Sequence, residues 1–585
     1  MTDPTPESLR ATSTRGLDLL GDEALFRDLI QLKPDHLSAL IRLAQILCRT
    51  NRFEEAQRTI DHALSLAPDN SDAHMTLGEI QMRTNKPQEA VASFNKALEL
   101  LPTNAQASLH LGRLLLDLGQ NLPGATHLLN AVKALPSDAP AHLAMAMALT
   151  RLGKHTDALN AYKVAAKGDP PAGDVLNNHG VAMDGAGNKA EAITLLRAAV
   201  LIQPDSWTAW DNLGNALLSR GNARMAESCH RQALALKPAN GATLSNLANA
   251  LHRQGKMEES VKYYKEAIAA IPNSSKFHTN LALTLLLMER YEEGWQEYEW
   301  RWREHPAFPP YLKAKPWHGE NIGDGTLLLQ AEQGFGDTIQ FIRYVPELKK
   351  LAKRVILICQ AELVGVMKTV QGLDDVFPEG CETPQFDAGL TLLSVPGLLK
   401  VGINPIESYP PYIFAPPGAG FDLGPKTKRL RVGLVWAGRP THGDDWNRSM
   451  PANILAPFFE VPDIEFVSLQ KGDVAPRIGR PPPELVIDAG NRCNSFADTA
   501  AIIAQLDLVI AVDTSVAHLA GAMGKPVWVM LPMIPDFRWR LEGDTTPWYK
   551  SLTLFRRKNG EGWERVILAV TQALSQVVEI LAQQG

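Results

Sequence analysis

Apolar residues in the first half of the chain recur at helical spacing in short blocks, AHMTLGEIQMRTN and PQEAVASFNKALELLP being typical, with polar residues between them. Each block predicts an amphipathic helix, and the blocks come in pairs on a fixed period. Prolines stand at Pro34, Pro68, Pro102, Pro136, Pro170, Pro204, Pro238 and Pro272, 34 residues apart each time. Ten residues after each proline sits a small residue: Ala44, Gly78, Gly112, Ala146, Gly180, Gly214, Ala248 and Ala282. Twelve further on lies a second small column, Ala56, Ala90, Gly124, Ala158, Ala192, Ala226, Ser260 and Gly294, and a third runs from Ala63 to Ala267. Helices cross closely only where side chains are small, so each unit is a helix pair whose second helix is ended by proline.

Past Ala282 the period frays into GWQEYEWRWREHPAFPPYLKAKPWHGE, whose Trp295, Trp300, Trp302 and Trp317 are expected to pack the last repeat onto the next domain. From residue 326 short apolar runs, TLLLQ, VILIC, LRVGLVW, IEFVSL, LDLVIAV and PVWVML, alternate with helical stretches. That alternation predicts parallel sheets with crossover helices. PPYIFAPPGAG divides the series into two doubly wound lobes, with ligands expected at the carboxyl ends of the strands and between the lobes. The predicted organisation is a cap and partial repeat over 1–34 and an all-α solenoid of eight repeats over 35–304. One Rossmann-like α/β lobe follows over 305–415, and a second over 425–585 ends in a helix. The repeat unit resembles the tetratricopeptide repeat, whose small columns and closing proline these positions match. Such a solenoid presents a concave binding surface, so chemistry is expected in the second half.

Charge narrows the partners. The 585 residues carry 58 Lys+Arg against 64 Asp+Glu, a net charge of −6, and 45% are hydrophobic. There is no global basic field to hold nucleic acid or an anionic membrane. Cys48, Cys229, Cys359, Cys381 and Cys493 lie far apart with no CxxC, which argues against a zinc site or a disulfide framework. MTDPTPESLR lacks the layout of a signal peptide, and no run of about 18 apolar residues could span a bilayer. A cytoplasmic protein without an integral membrane segment is expected, its oligomeric state left open.

Four loops after predicted strands carry the candidate chemistry. TLLLQ runs into AEQGFGD, where Gly334 and Gly336 let backbone approach a ligand and Asp337 either opens the next helix as its cap or serves as a base. LRVGLVW runs into AGRPTHGDDWNRSMP, offering His442, Asp444, Asp445, Asn447 and Arg448. IEFVSL leads to Gln470 and Lys471. LDLVIAV leads to Asp513, Thr514, Ser515 and His518, a strand-to-helix turn that is either an anion site or a capped helix start with a packing histidine. One lobe thus supplies a carboxylate, the other cations and a helix start, a partition suited to sugar transfer from a nucleotide sugar without a metal. HExxH, GxxxxGK[ST] and GxSxG are all missing, so zinc-protease, P-loop and hydrolase readings lack their parts.

In the solenoid, Asn178, Asn212, Asn246 and Asn280 stand two residues before the small position of the last four repeats, with Asn215 and Asn249 three further on in two of them. A carboxamide both donates and accepts, so this ladder can bind the backbone of an extended peptide, or merely solvate a groove. It resembles the asparagine ladder of eukaryotic protein O-GlcNAc transferases. In the first four repeats Arg42, Thr76, His110 and Ala144 interrupt it.

The stretch from about 317 to 560, through AEQGFGDTIQF, VGLVWAGRPTHGDDWNRSMP, VSLQKGD and LDLVIAVDTSVAHLAGAMGKPVWVMLP, is similar to the GT-B glycosyltransferases related to bacterial heptosyltransferases. That resemblance places Asp337 on the catalytic base, Arg448 and Lys471 on phosphate-binding cations, and Asp513, Thr514, Ser515 and His518 on the donor-binding turn. A lipid-core acceptor is not carried over, because those enzymes have no solenoid. Solenoid followed by GT-B domain resembles bacterial flagellin O-glycosyltransferases that transfer pseudaminic acid. The resemblance implies flagellin or another protein acceptor, a Ser/Thr nucleophile, and a CMP-nonulosonic acid donor, with ADP- or UDP-sugars as alternatives. The expected mechanism is inverting, with Asp337 as base and His442 its rival. Two other readings stay open: a scaffold or chaperone with an inactive transferase domain, and a transferase acting on a glycan.

Overall fold

The computed structural model describes residues 19–167, 173–303, 308–400, 411–419, 422–440, 445–472 and 478–584. The chain divides into two compact units, one through Lys237 and one from Pro238 onward.

In the first unit a helix over Leu19–Leu32 precedes six helix pairs, beginning with Leu37–Arg49 and Phe53–Leu66 and ending with Trp207–Leu218 and Ala223–Leu236. Their ends are built into the sequence. Two residues past Pro68, Pro102, Pro136 and Pro204 a short polar side chain caps the next first helix: Asn70 accepts from the Ala73 amide, Asn104 from Ala107, Asp138 from Ala141 and Ser206 from Ala209. The small column works as the spacing predicts. A Cβ on Gly78 would sit 2.7 Å from the Phe94 ring, and one on Gly112 or Gly180 would sit 2.6 Å from Leu128 or Leu196. The partner helix therefore rests directly on backbone at these positions.

The second unit opens with two further pairs, Gly241–His252 with Met257–Ala270 and Ser275–Leu287 with Tyr291–Tyr298. Ten strands follow: β1 Gly323–Gln330, β2 Ala352–Cys359, β3 Asp375–Pro378, β4 Ala388–Thr391, β5 Leu430–Val435, β6 Ile464–Ser468, β7 Val486–Asp488, β8 Leu508–Val512, β9 Val527–Leu531 and β10 Leu552–Arg556. Every pairing between them is parallel. The first sheet runs β3-β2-β1-β4 and the second β10-β9-β8-β5-β6-β7. Chain order therefore reverses between β1 and β4 in one sheet and between β5 and β8 in the other, the switch points beside which such sheets bind ligands. The central strands, such as β5 and β8, read as apolar runs because both faces are covered. Val432, Leu434, Ile510 and Val512 pack on one side with Val566, Ile567, Val570 and Leu574 of a helix over Trp563–Gln584. That helix is the one described element long and apolar enough to cross a membrane, and one face of it is packed on the sheet.

The tryptophans divide as their surroundings require. Trp295 and Trp317 are buried in the core of the first sheet, Trp295 meeting Phe341 and Phe537 edge-on at 5.8 Å each. Trp300 stacks flat on His278 and Trp302 donates to Thr391 Oγ1, both half-buried.

Candidate functional site

The loops after β1 and β8 meet. Gly336 packs so tightly on the helix Ser515–Ala522 that a Cβ there would lie 2.8 Å from His518 Cδ2. Asp337 lies in the first turn of the helix Phe335–Phe341, where its two carboxylate oxygens take different partners. Its Oδ2 accepts from the Gly334 amide at 2.9 Å, closing the glycine loop as a cap, and its Oδ1 is paired with Arg538 Nη2. Burial pushes the carboxyl pKa up, and Arg538 and the Gly334 amide pull against that rise.

Arg538 is the residue sequence reasoning missed. It follows β9 in a short turn, Phe537–Trp539, and arrives 201 residues after its partner. Nη1 donates to Asp536 Oδ1 at 2.7 Å, Nε donates to Gln340 Oε1, and the guanidinium lies over the Phe537 ring at 4.3 Å. The available signal was the pair of arginines around tryptophan in DFRWR, directly after a predicted strand.

Asp513 sits between two cations. Burial lifts its pKa to about 6, Asp536 adds to the rise, and Arg448 and Arg538 oppose it. Arg448 donates from Nη1 to the Asp513 carbonyl at 3.1 Å, so the β5 loop and the β8 loop are joined at the switch point of the second sheet. Thr514 follows as the extended N-cap, its hydroxyl donating back to Val512 O at 3.2 Å, and Ser515 is half-buried at the first helical position. His518 is a packing residue by its surroundings: buried, stacked on Trp539, with Nδ1 3.0 Å from the Tyr549 hydroxyl. Burial, helped by Arg538 and Arg343, holds its pKa well below the ordinary imidazole value. Its Nε2 stands 4.0 Å from Asp513 Oδ1.

The remaining candidates are placed differently. Gln470 is buried and its Oε1 accepts from the Ala437 amide at 3.1 Å, fastening the β6 end to the β5 end. Lys471 is exposed. Asn447 is buried and accepts from Arg557 at 2.8 Å, while Asp445 Oδ1 accepts from the Ser449 hydroxyl at 2.6 Å. His442 and Asp444 lie outside the described residues. A second arginine also escaped sequence reading: Arg343, 1% exposed, donates to Trp548 O and to the Tyr412 hydroxyl with its cation over Tyr549.

In the repeats, Asn178 and Asn212 of the first unit and Asn246 and Asn280 of the second are all half-buried on the first helix of their repeats. Asn212 donates to Asn177 Oδ1 at 3.0 Å and Asn177 donates to Asn178 Oδ1 at 3.3 Å, a short chain of carboxamides. Asn249 accepts from the buried Tyr264 hydroxyl, which occupies it within its own repeat.

Comparison with known proteins supports the repeats. Family models described as tetratricopeptide repeat match residues 23–80, 71–104, 109–173 and 212–275, so the first half of the chain carries tetratricopeptide repeats. Protein FlbA of Caulobacter vibrioides is 24% identical over 325 residues, which cover 50% of this chain and 53% of FlbA. The chain thus spans about half the length of that curated relative. Among solved structures, YrrB, described as a TPR protein with an unusual peptide-binding site, is 28% identical over 32% of this chain and 95% of its own, with a TM-score of 0.28. A tetratricopeptide repeat protein of Parabacteroides merdae is 17% identical over 43% of this chain and 98% of its own, with a TM-score of 0.35. The Cut9–Hcn1 assembly is 16% identical over 46% and 53%, with a TM-score of 0.38.

Proposed function

We propose that the protein is a protein O-glycosyltransferase of GT-B type, cytoplasmic and metal-independent, whose repeats hold a protein acceptor, flagellin being favoured. The observation that carries this reading is the packing of the Asp337 loop, from the switch point of one sheet, on the helix that follows the Asp513–Ser515 turn, a turn that Arg448 holds at the switch point of the other. The acceptor Ser/Thr oxygen attacks the anomeric carbon as the bond from that carbon to the donor phosphate breaks. Asp337 takes the hydroxyl proton, and the electron pair leaves with the phosphate, held by Arg448, Lys471 and the amides at Thr514 and Ser515. Inversion follows from a single displacement. The half-buried asparagines, Asn178, Asn212, Asn246 and Asn280, hold acceptor backbone. The donor is a nucleotide sugar, CMP-nonulosonic acid favoured.

The engagement of Asp337 by Arg538 also favours a second reading, a repeat scaffold whose transferase domain is inactive. The test is the intact mass of flagellin from source cells carrying either the native protein or Asp337→Ala. Loss of whole sugar increments in the variant supports transfer, and purified components then establish that it is direct. Flagellin unmodified in both strains excludes it as the acceptor, and equal modification in both excludes Asp337 as the base.

A further inference from the structure

We propose that Arg538 gates Asp337: the guanidinium holds the carboxylate across the two sheets, and an anionic ligand group that takes over the guanidinium releases the carboxylate for use as a base. This rests on the transferase reading above and adds to it an anion-binding residue and an order of events.

Three observations carry it. The first is donor arithmetic. A guanidinium has five N–H groups, and among the described residues three are used, on Gln340, Asp536 and Asp337. One N–H remains on each terminal nitrogen, a spacing that suits a phosphate or carboxylate in bidentate contact. The second is that Arg538 stands among carboxylates from three separate loops. Asp337 follows β1, Asp513 follows β8 and Asp536 follows β9, so a group that moves Arg538 toward any one of them changes the field on the others.

The third is the backbone that delivers it. Arg540 has φ +61° and ψ 169°, a conformation almost confined to glycine. Arg556 holds the strained segment in place by donating to the carbonyls of Trp539, Arg540 and Gly543. Strain held this firmly is characteristic of ligand clamps. The guanidinium opposes the rise that burial gives the Asp337 carboxyl, so the pairing lowers its affinity for a proton. Relieved of it, in a half-buried site, the same group takes one readily.

The test is titration of the full chain by calorimetry with CMP, UDP, ADP and inorganic pyrophosphate as probes, at constant ionic strength. Asp337→Asn removes the competitor for Arg538, so any probe that uses the guanidinium should bind about tenfold tighter, as expected when the competent fraction rises from a tenth to nearly all. Arg538→Gln should weaken the same probe by about tenfold or more, and the double variant should follow Arg538→Gln. An ion pair that is only structural lowers the melting temperature in both variants and moves neither affinity in opposite directions, and that result overturns the gate. Should Arg538→Gln not fold, Arg538→Lys keeps the charge but loses the fork and should fall between. Opposite shifts with no sugar transfer by the wild-type protein leave the gate standing and sink the transferase reading. Transfer without opposite shifts sinks the gate alone, and no binding of any probe to wild type or Asp337→Asn also overturns it.

Discussion

Glu289 and Arg540 both hold left-handed backbone, φ +61° each, and are joined by an ion pair of 2.8 Å between Oε1 and Nε. At the turn that Glu289 occupies, the preceding repeats place Asn51, Asn85, Gly119, Gly153, Gly187, Gly221 and Gly255, every one with positive φ. Those residue types adopt the conformation readily, whereas a glutamate pays about 1 kcal/mol. The last repeat therefore departs from the pattern at a turn that reaches the Arg538 segment. Glu289→Gly relieves strain while losing the pair, and Glu289→Gln loses the pair alone. Urea denaturation should rank Glu289→Gly above Glu289→Gln by about 1 kcal/mol. The opposite ranking would refute the strain account.

Arg301 reaches from the end of the last repeat to the β1 loop. Nε and Nη2 clamp Glu332 at 2.8 and 2.7 Å, Nη2 also donates to Ser394 at 2.9 Å, and both side chains are buried. Taking one partner from a buried pair leaves an uncompensated charge and typically costs about 3–5 kcal/mol, whereas replacing both with apolar residues is often neutral. Arg301→Met should be strongly destabilising, and Arg301→Met with Glu332→Leu should recover most of the loss. Thermal melts of the two variants check this, and equal melting points would show that the pair contributes nothing beyond packing.

How far the sequence disclosed this arrangement follows from the range of each interaction. The repeats were legible because their signal is local and periodic: a small residue at Gly112 and a proline at Pro136 mean the same in every unit. Strands β1, β2, β5, β6, β8 and β9 were legible as apolar runs, because both faces are buried. Strand β3, DVFP, ends in proline at a sheet edge, and β7 is three residues long, so neither leaves such a run. The loops bearing Asp337, Arg448 and Asp513 could be picked out because each follows a readable strand. Arg538 and Arg343 could not, since an arginine beside aromatic residues looks alike in sequence whether it faces water or is buried against a tryptophan 205 residues away. The membership of the cluster is a tertiary fact.

Gly336 is required by the ring it faces. The clash atom for a Cβ, His518 Cδ2 at 2.8 Å, belongs to an imidazole fixed by Trp539 and Tyr549, so it cannot retreat cheaply. Gly336→Ala should cost about 1–3 kcal/mol by overpacking. With His518→Ala present the added methyl finds room, so the two costs should be less than additive. A double-mutant cycle reads this directly, and simple additivity would mean that the two residues do not press on each other.

The raised pKa of Asp513 has a definite sign in the pH dependence. Its folded value of about 6 exceeds the ordinary carboxyl value of 3.8, so the folded state binds the proton more tightly than the unfolded chain does. Stability from this group is then full below the unfolded value and is lost as pH rises toward about 6. The groups facing it are Asp536, Arg448 and Arg538, with a neutral His518 at 4.0 Å. Asp513→Asn should flatten the fall in stability between about pH 4 and 6 in denaturant titrations. An unchanged slope would assign that proton to another carboxyl.

The compact unit that contains both sheets begins at Pro238 rather than after the last repeat. Trp295 fills the space between Phe341 of the first sheet's loop helix and Phe537 beside Arg538, and the Tyr298 hydroxyl accepts from Gln333 at 2.8 Å. A chain beginning at residue 305 uncovers this apolar surface and leaves Glu332 without Arg301, whereas one beginning at 238 keeps both. The longer chain should therefore be soluble and melt cooperatively, and the shorter should aggregate or melt without cooperativity. In the full chain, Trp295→Ala should cost about 3–5 kcal/mol, the range for emptying a buried aromatic site. Amide exchange should rise in segments 331–341 and 536–541 together, because one indole supports both. Exchange that rises in only one of them would show that the last repeat buttresses a single sheet.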